Sequence, residues 1–217
     1  ARLHAAAERY GFPLAAVPAL VRYVEAVLAE NAHVNLTGAK TLEAALDILA
    51  LDALPVCAAW PKDAPPPRRA VDLGTGNGLP GVVVALAWPT CETVLVDRTA
   101  KKAAAVARCV AAVGIRNVLV LACDGRELLS ERPSLERAVD LVTIRAVADL
   151  APTTKEAAPW LAPGGRIVHW KASGLDPAER AAGLSLAKGH GLRAVEDLEF
   201  HVPGAKLPRR LVVYERP

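Results

Sequence analysis

A glycine-rich segment, residues 72–81, carries the residue types and spacing most suited to binding a ligand. It reads Asp-Leu-Gly-Thr-Gly-Asn-Gly-Leu-Pro-Gly, and residues 76–81 match the G-x-G-x-x-G spacing of dinucleotide-binding loops, a weak signal when it stands alone. An apolar stretch precedes the segment and an apolar, helix-like run follows it, as such a loop requires. Glycines there let the backbone turn sharply and let a ligand approach where a Cβ atom would collide. The candidate contacts are Gly74, Gly76, Gly78 and Leu79.

Two aspartates follow the next two apolar stretches of the chain. Asp97 stands about 20 positions after Gly76, the interval expected between such a loop and an acidic ribose ligand, and Asp124 follows the stretch after that. The carboxyl ends of parallel strands meet at one edge of a sheet, so both should lie beside the glycine loop. There Asp97 can accept both ribose hydroxyls, and Asp124 can accept an adenine amino group. The pattern predicts an adenosine site that also includes Gly125 and Arg126.

Two adenosine cofactors then have to be weighed, NAD and S-adenosylmethionine (SAM). Asp72 precedes the first glycine by two positions, where a carboxylate suits a cationic ligand that carries an amino group and a sulfonium. The same carboxylate would repel a pyrophosphate, which binds bare amides at a helix N-terminus. No tyrosine stands four residues before a lysine, the pair that tyrosine-based dehydrogenases use. SAM is therefore the expected cofactor, and an NAD-binding oxidoreductase is the alternative.

The residues for several methyl-transfer chemistries are absent from the sequence. There is no Asn/Asp-Pro-Pro-Tyr/Phe stretch to grip an exocyclic amine, and no cysteine follows a proline to form a pyrimidine-attacking nucleophile. The four cysteines are far apart, without a C-x-x-C pair, which predicts reduced thiols and no metal site. We therefore expect an acceptor that is already nucleophilic and needs mainly positioning. A small-molecule methyltransferase and an inactive SAM-binding scaffold are further alternatives.

Apolar stretches alternate with helix-like stretches from residue 69 onward, as in doubly wound α/β proteins. This predicts an α/β, Rossmann-like fold with a mostly parallel, seven-stranded sheet. Its last two strands should form an antiparallel edge, because no helix separates them. The predicted strands are 70–73, 93–96, 118–121, 138–144, 166–170, 194–200 and 211–214. The predicted helices are 79–87, 100–113 and 147–161, the last closed by Pro163-Gly164-Gly165.

The N-terminal part of the chain has a helical pattern. Apolar residues recur at spacings of three and four between Val17 and Leu28, which predicts a helix that begins near Pro13. A second helix is predicted over 41–59, with Thr41 as its N-cap.

A proline-rich segment, 61–67, follows this helical part, and it can be neither helix nor inner strand. We expect an N-terminal helical extension over 1–62 and a class I methyltransferase domain over 63–217. A hydrophobic fraction of 53% supports a large core, while a net charge of +3 does not by itself indicate a nucleic-acid partner. The opening residues do not resemble a signal peptide, and no apolar run has the length to span a bilayer. We therefore expect a cytoplasmic monomer without membrane association.

The glycine segment and several shorter motifs resemble the bacterial glucose-inhibited division protein B family, the methyltransferases of guanine N7 in 16S ribosomal RNA. The resemblance covers nearly the whole chain. Residues 72–81 resemble the family's Asp-x-Gly-Thr-Gly-x-Gly-Leu/Phe-Pro-Gly loop, of which the Leu/Phe-Pro-Gly ending is the most distinctive part. The other matching motifs are Asn35-Leu36-Thr37, Val96 to Lys102, Arg145 to Ala148, Pro163-Gly164-Gly165 with Lys171, and Arg209 to Val213.

The resemblance implies a class I SAM-dependent methyltransferase that releases S-adenosylhomocysteine (SAH) and acts on 16S ribosomal RNA or the small ribosomal subunit. Guanine N7 carries a lone pair and no proton at neutral pH, so no general base is required and catalysis is positioning and electrostatics. Arg145 is then expected to position the cofactor carboxylate, guanine O6 or a phosphate. The candidate RNA contacts are Asn35, Arg98, Lys101, Lys102, Arg108, Lys171, Lys206, Arg209 and Arg210.

Two stretches depart from the family pattern. Where the family has His-x-x-Asp-Ser, this chain has Leu49-Ala50-Leu51-Asp52-Ala53, so the histidine and the serine are absent. Arg98-Thr99 replaces the serine that usually follows the acid at Asp97, and Lys102 replaces an arginine. The departures therefore fall at the N-terminal contact to the site and beside Asp97.

Overall fold

In the computed structural model, which describes residues 1–195, 197–203 and 207–217, one mixed β-sheet carries helices on both faces. The strands are β1 (Arg69–Leu73), β2 (Glu92–Val96), β3 (Val118–Leu121), β4 (Val139–Arg145), β5 (Leu161–Ala172), β6 (Arg193–Ala194), β7 (Leu198–Phe200) and β8 (Arg209–Glu215). The α-helices are α1 (Arg2–Tyr10), α2 (Val17–Glu30), α3 (Leu42–Ala45), α4 (Val56–Ala59), α5 (Gly81–Ala87), α6 (Ala100–Val113), α7 (Leu128–Glu131), α8 (Leu150–Ala157) and α9 (Pro177–Gly189).

The strand order is β3-β2-β1-β4-β5-β8, and β6 and β7 both pair with β8. Strand β1 lies between β2 and β4 and is parallel to both, with Asp72 opposite Leu95 and Thr143. Strand β8 runs antiparallel to β5, which confirms the predicted mostly parallel sheet with an antiparallel edge. The parallel strands bring the carboxyl ends of β1 to β4 to one edge, where the predicted site residues follow them.

The C-terminal edge differs from the prediction in its strand count. The predicted strand 194–200 is two short strands, β6 and β7, so the described residues form eight strands and not seven. After β6, the Val195 N–H donates to Val213 O of β8 at 3.0 Å, which adds one more hydrogen bond to the pairing with β8. Helix α9 was not predicted, although Asp176 caps it by accepting a backbone N–H at 2.8 Å and Pro177 is its first residue. Both are helix-start signals that the sequence carries.

Two further predicted boundaries are corrected by the structure. The predicted helix 147–161 is shorter, because α8 begins only at Leu150 and a 3-10 turn follows it. Pro163-Gly164-Gly165 lies within β5 and does not close a helix. The pairing of β5 with β4 shifts register at this point, as in a β-bulge. The predicted helix 79–87 begins at Gly81, as α5.

The N-terminal helices follow the prediction in outline. A 3-10 turn after Pro13 leads into α2. The predicted helix 41–59 is interrupted, because a π-helical segment, Leu46–Leu51, and a turn separate α3 from α4. Thr41 is the N-cap as predicted, since its Oγ1 accepts the Ala44 N–H at 3.2 Å.

Helix α2 packs on α6 and α5 and buries the side chains of Leu20, Val24 and Val27 completely. These residues belong to the same hydrophobic cluster as Leu95 of β2, while α8 and α9 cover the opposite face of the sheet. The N-terminal helices therefore share a core with the sheet, and the division of the chain near residue 62 stays a prediction. No helix in the described part of the chain combines the length and hydropathy needed to cross a bilayer.

Candidate active site

A cavity of about 630 Å³ opens at the carboxyl ends of β1 to β4, the edge at which doubly wound sheets bind ligands. Its volume falls within the range of small-molecule and cofactor sites. The predicted cofactor residues that line it are Gly74, Gly76, Leu79, Asp97, Asp124, Gly125, Arg126 and Arg145. Lining residues that the sequence pattern did not indicate as cofactor contacts include Leu36, Thr75, Asn77, Cys123, Val147 and Glu156.

Asp72 lies beneath the glycine loop and does not line the cavity, and its predicted contact with a cationic ligand stays a prediction. It is 1% exposed, and its carboxylate accepts from Thr75 Oγ1 at 2.5 Å, Thr143 Oγ1 at 2.6 Å and Gly81 N at 3.2 Å. Burial raises the pKa of Asp72, against the lowering effect of these three hydrogen bonds. Asp72 therefore ties the loop to β4 and to the start of α5.

The loop needs its glycines for different reasons. Gly74, Gly76 and Gly78 have φ of 66°, 58° and 88°, a left-handed conformation that side chains disfavour. A Cβ on Gly78 would lie 1.8 Å from the hydroxyl of Tyr23, and that hydroxyl donates to Asn77 O at 2.9 Å. Gly78 therefore packs against α2 and does not line the cavity, and its predicted role as a ligand contact stays a prediction. Tyr23 supports the loop from α2, and its sequence signal is only that of a buried aromatic residue.

Asp97 forms the wall of the cavity at the end of β2. Its Oδ2 accepts the Gly76 N–H at 2.9 Å and its Oδ1 accepts the Thr99 N–H at 2.8 Å. These two backbone bonds fix the carboxylate between the glycine loop and the start of α6. Because a carboxylate has about four acceptor positions, both oxygens retain a lone pair for hydroxyl donors in the cavity.

Two carboxyl groups define the part of the cavity beyond β3. Asp124 accepts from Arg126 Nε at 2.8 Å and Nη2 at 2.7 Å, and this pairing holds the pKa of Asp124 well below its usual range. Glu156 of α8 lies against Gly125, where an added Cβ would be 1.8 Å from Glu156 Oε1. Burial, and then the charge of Asp124, raises the pKa of Glu156. The Glu156 carboxyl forms no hydrogen bond or ion pair within the described ranges.

Arg145 reaches the cavity from the last residue of β4. Its Nη1 donates to Asp52 Oδ2 at 2.9 Å and its Nη2 to Asn77 Oδ1 at 3.3 Å. The next residue, Ala146, has φ of 55°, a costly conformation for a residue with a Cβ and one that is concentrated at functional sites. A guanidinium fixed at a cavity edge can bind a carboxylate, a carbonyl oxygen or a phosphate.

Of the predicted RNA contacts, Arg98, Lys101 and Lys102 lie where β2 leads into α6. Arg98 and Lys102 line the cavity, and Arg98 and Lys101 are exposed to solvent. None of the three forms an ion pair with a residue that the structure describes. Their charges are therefore available to an anionic ligand beside the cavity.

Other predicted RNA contacts form ion pairs within the protein, and their binding to phosphate stays a prediction. Lys171 Nζ lies 2.6 Å from a carboxylate oxygen of α9, and Arg108 is paired with an acidic residue of α2 at 2.6 Å. Arg210 pairs with two acidic side chains at 3.3 and 3.0 Å. Arg209 is partly exposed, with Nε 3.7 Å from Asp52 Oδ1. Asn35 is exposed, and Lys206 lies outside the described residues.

All four cysteines are free thiols, as predicted. Burial raises the pKa of Cys57 and Cys91 to about 12 and that of Cys109 to about 11. Cys123 borders the cavity, and burial also raises its pKa. Within the described residues, no group of three or more His, Cys, Asp or Glu side chains is placed to hold a metal ion.

Residues 16–186 match the family model described as rRNA small subunit methyltransferase G, or GidB. The chain is similar to the ribosomal RNA small subunit methyltransferase G of Roseiflexus castenholzii, with 33% identity over 193 residues that cover 88% of this chain and 80% of that protein. The protein of the same name from Leptothrix cholodnii is 34% identical over 213 residues, which cover 97% of this chain and 92% of the relative.

Solved structures with a similar fold are methyltransferases and related proteins of low sequence identity. M. jannaschii TYW2 in complex with AdoMet has a TM-score of 0.54 and 16% identity, and the match covers 71% of this chain and 72% of that one. A geranyl diphosphate methyltransferase in complex with GPP and sinefungin has a TM-score of 0.56 and 16% identity, covering 72% and 73%. At this identity the likeness shows the fold alone, which is that of the class I methyltransferases.

Proposed function

Because the chain belongs to the rRNA small subunit methyltransferase G family, we propose that it transfers a methyl group from SAM to N7 of a guanine in 16S ribosomal RNA. The observation that carries the proposal is the cavity at the glycine loop, with the Asp97 carboxylate on one wall and the Arg145 guanidinium at its edge. This donor and acceptor set suits a ligand with a ribose and an amino-acid carboxylate.

Each cavity residue would have a separate task. Asp97 would accept the ribose hydroxyls, and the segment at Asp124 and Gly125 would border the adenine. The backbone of the glycine loop would hold the amino-acid part of SAM, while Asp72 keeps that loop in place from below. When bound, SAM supplies a methyl group on a positively charged sulfur that a lone pair can attack. Arg145 would orient an oxygen acceptor, either the SAM carboxylate or guanine O6.

A neutral purine nitrogen needs no deprotonation before it attacks. The reaction therefore needs no general base. The cavity residues act by holding the two reactants in line. Arg98, Lys101 and Lys102 would bind RNA phosphates at the same rim, since they are near the cavity and free of ion pairs with described residues. Binding through such contacts should weaken steeply as the salt concentration rises.

The test is transfer of a labelled methyl group from SAM to small ribosomal subunits and to free 16S RNA from cells that lack this methylation. We expect label at N7 of one guanine, located by chemical cleavage at 7-methylguanine. An Arg132→Ala variant, changed outside the cavity, should transfer label like the wild type. Label at another base atom, or only on small metabolites, would contradict the proposal. Comparison of the two substrates also shows whether the assembled particle is required.

We also propose that the chain acts as a monomer in the cytoplasm, where ribosomal subunits are assembled. The family relationship supports the location, because the relatives are named as ribosomal RNA methyltransferases. Sedimentation of the purified protein at several concentrations would test the monomer, and a concentration-dependent dimer would contradict it.

A further inference from the structure

The side chain of Asn77 forms hydrogen bonds to residues outside the glycine loop, and the turn of the loop does not require these bonds. It is 8% exposed and stands between Gly76 and Gly78, which provide the left-handed backbone. Its Oδ1 accepts the Leu79 N–H at 3.2 Å, a local turn contact. Two other bonds leave the loop, because Oδ1 also accepts from Arg145 Nη2 at 3.3 Å and Nδ2 donates to Leu36 O at 3.4 Å. The Asn77 amide thus joins the loop to β4 and to the N-terminal segment.

Asp52 holds the same guanidinium from the other side. Its Oδ2 accepts from Arg145 Nη1 at 2.9 Å. The backbone at Asp52 is itself fixed, because its carbonyl accepts from Trp170 Nε1 of β5 at 2.9 Å. The side chains of Arg145 and Asp52 are 16% and 11% exposed, so water screens their attraction less than at the surface. Asp52 and Asn77 therefore hold different nitrogens of one planar group.

A guanidinium held at two nitrogens has its plane fixed. Arginine carries five N–H donors in a rigid fork, so those not used by Asp52 and Asn77 keep a set direction at the cavity edge. A donor that is already oriented loses less entropy when it binds and places its acceptor more accurately. Lysine at the same position could not reproduce this, because its ammonium is a point charge on a flexible chain.

We propose that Asn77 is a positioning residue for methyl transfer, acting through Arg145. Together with Asp52, it fixes the guanidinium plane so that the remaining N–H groups bind an oxygen acceptor in the cavity. The acceptor is a carboxylate of SAM or the O6 carbonyl of the target guanine, which share this chemistry. The inference rests on the proposed function for its role in catalysis, but the ordering of Arg145 by Asn77 does not depend on it.

A double-mutant cycle tests the coupling of the two residues. Asn77→Ala should lower kcat/KM about tenfold, the size of one hydrogen bond to a charged group. In an Arg145→Lys background the same change should cost less than about twofold, because the oriented donor is already gone. Additive losses would overturn the proposal. The matched cycle with Arg132→Lys, an arginine outside the cavity lining, should be additive.

Conservative replacement separates positioning from loop support. Asn77→Asp keeps the Oδ1 acceptor for Arg145 and loses the donor to Leu36, so we expect it to keep kcat/KM within about threefold of the wild type. Both variants keep the backbone carbonyl that accepts from Tyr23. An Asp variant as damaged as the Ala variant, with an unchanged melting temperature, would contradict a role through Arg145. If the acceptor is the SAM carboxylate, SAH affinity falls in Asn77→Ala, whereas with guanine O6 only the RNA parameters change.

A spectroscopic measurement keeps the inference testable without catalysis. In protein labelled with ¹⁵N-arginine, the two Nη signals of Arg145 should be separate in the wild type, because rotation about Nε–Cζ, which exchanges the two nitrogens, is restrained. They should merge in Asn77→Ala, while those of Arg132 stay unchanged. Merged Arg145 signals in the folded wild type would overturn the proposal. Separate signals without methyl transfer to ribosomal RNA would instead refute the proposed function alone.

Discussion

Gly78 is the residue at which a single methyl group should disrupt the glycine loop. It has φ of 88°, and an added Cβ would lie 1.8 Å from Tyr23 Oη and 2.9 Å from its Cζ. Gly114 has nearly the same φ, 77°, with no atom within 4 Å of an added Cβ. Both alanine variants pay the left-handed backbone cost of about 1 kcal/mol, but only Gly78→Ala must also displace a buried tyrosine.

We therefore expect Gly78→Ala to weaken SAH binding by about tenfold or more and to lower the melting temperature further than Gly114→Ala does. Gly114→Ala should bind SAH like the wild type. Calorimetric titration with SAH and thermal unfolding measure the two effects. Equal behaviour of the two variants would contradict the packing of the loop on α2.

Single residues show where sequence reasoning could and could not locate the site. Asp97 was predicted from its position after a strand, and it lines the cavity. Asp72 matched the same kind of pattern, but its oxygens are used by Thr75, Thr143 and Gly81. Such partners come together only when β1 and β4 pair, so spacing along the chain could not show them. For the same reason, Glu156 of α8 was missed.

The two positions at which the family has a histidine and a serine are core positions in this chain. Leu49 and Ala53 stand in their places, and both are buried in the hydrophobic core. The polar contact that this chain retains from the segment is Asp52, which pairs with Arg145 at 2.9 Å. The departure thus removes two polar side chains but keeps the carboxylate that reaches the site.

At the scale of elements, α8 packs on β5 around a buried histidine. His169 contacts the hydroxyls of Thr153 at 3.4 Å and Thr154 at 3.1 Å, and its ring meets Tyr214 edge to face. Burial, and secondarily the Lys171 ammonium, lowers the pKa of His169 to about 3. In the unfolded chain its pKa returns to about 6.5. Between these values the unfolded chain binds a proton that the folded chain does not.

Stability should therefore fall as the pH drops from about 6.5 towards 3, by up to about 1.4 kcal/mol per pH unit from His169 alone. Urea unfolding of the wild type between pH 7 and pH 5 should show this loss on top of that from other groups. His169→Gln, which can still bond to the threonines, should have a shallower pH dependence. His33→Gln, changed at an exposed site, should keep the wild-type slope. Equal slopes for His169→Gln and the wild type would contradict a neutral buried histidine.

Helices and strands with strong hydrophobic periodicity were predicted well. Those whose boundaries depend on pairing with a neighbouring strand were not. Residues 100–113 match α6, and 118–121 match β3. Pro163-Gly164-Gly165 was assigned to a helix end on composition, yet it lies in β5, where the register with β4 shifts. The split of the edge strand into β6 and β7 likewise depends on pairing with β8. Propensity does not carry such pairing information.

At the scale of the whole molecule, the N-terminal helices belong to the machinery of the site. Tyr23 of α2 supports the glycine loop, Leu36 accepts from Asn77, and Asp52 holds Arg145. The spacing of apolar residues predicted a helical extension before the sheet, but it gave no sign that three residues of this extension would contact the site. The net charge of +3 also does not show how the charges are distributed. Three basic residues, Arg98, Lys101 and Lys102, lie together beside the cavity.

The measurement that tests the central claim most directly is calorimetric titration of the whole protein with SAM and with NADH. We predict that SAM binds and NADH does not, because the chain belongs to a methyltransferase family and the Arg145 guanidinium at the cavity edge suits the carboxylate of SAM. Asp97→Ala should weaken SAM binding by about tenfold or more, the loss expected for hydrogen bonds to a charged group, while Asp63→Ala at an exposed site should not. No SAM binding up to about 1 mM, or full binding by a folded Asp97→Ala variant, would contradict the account.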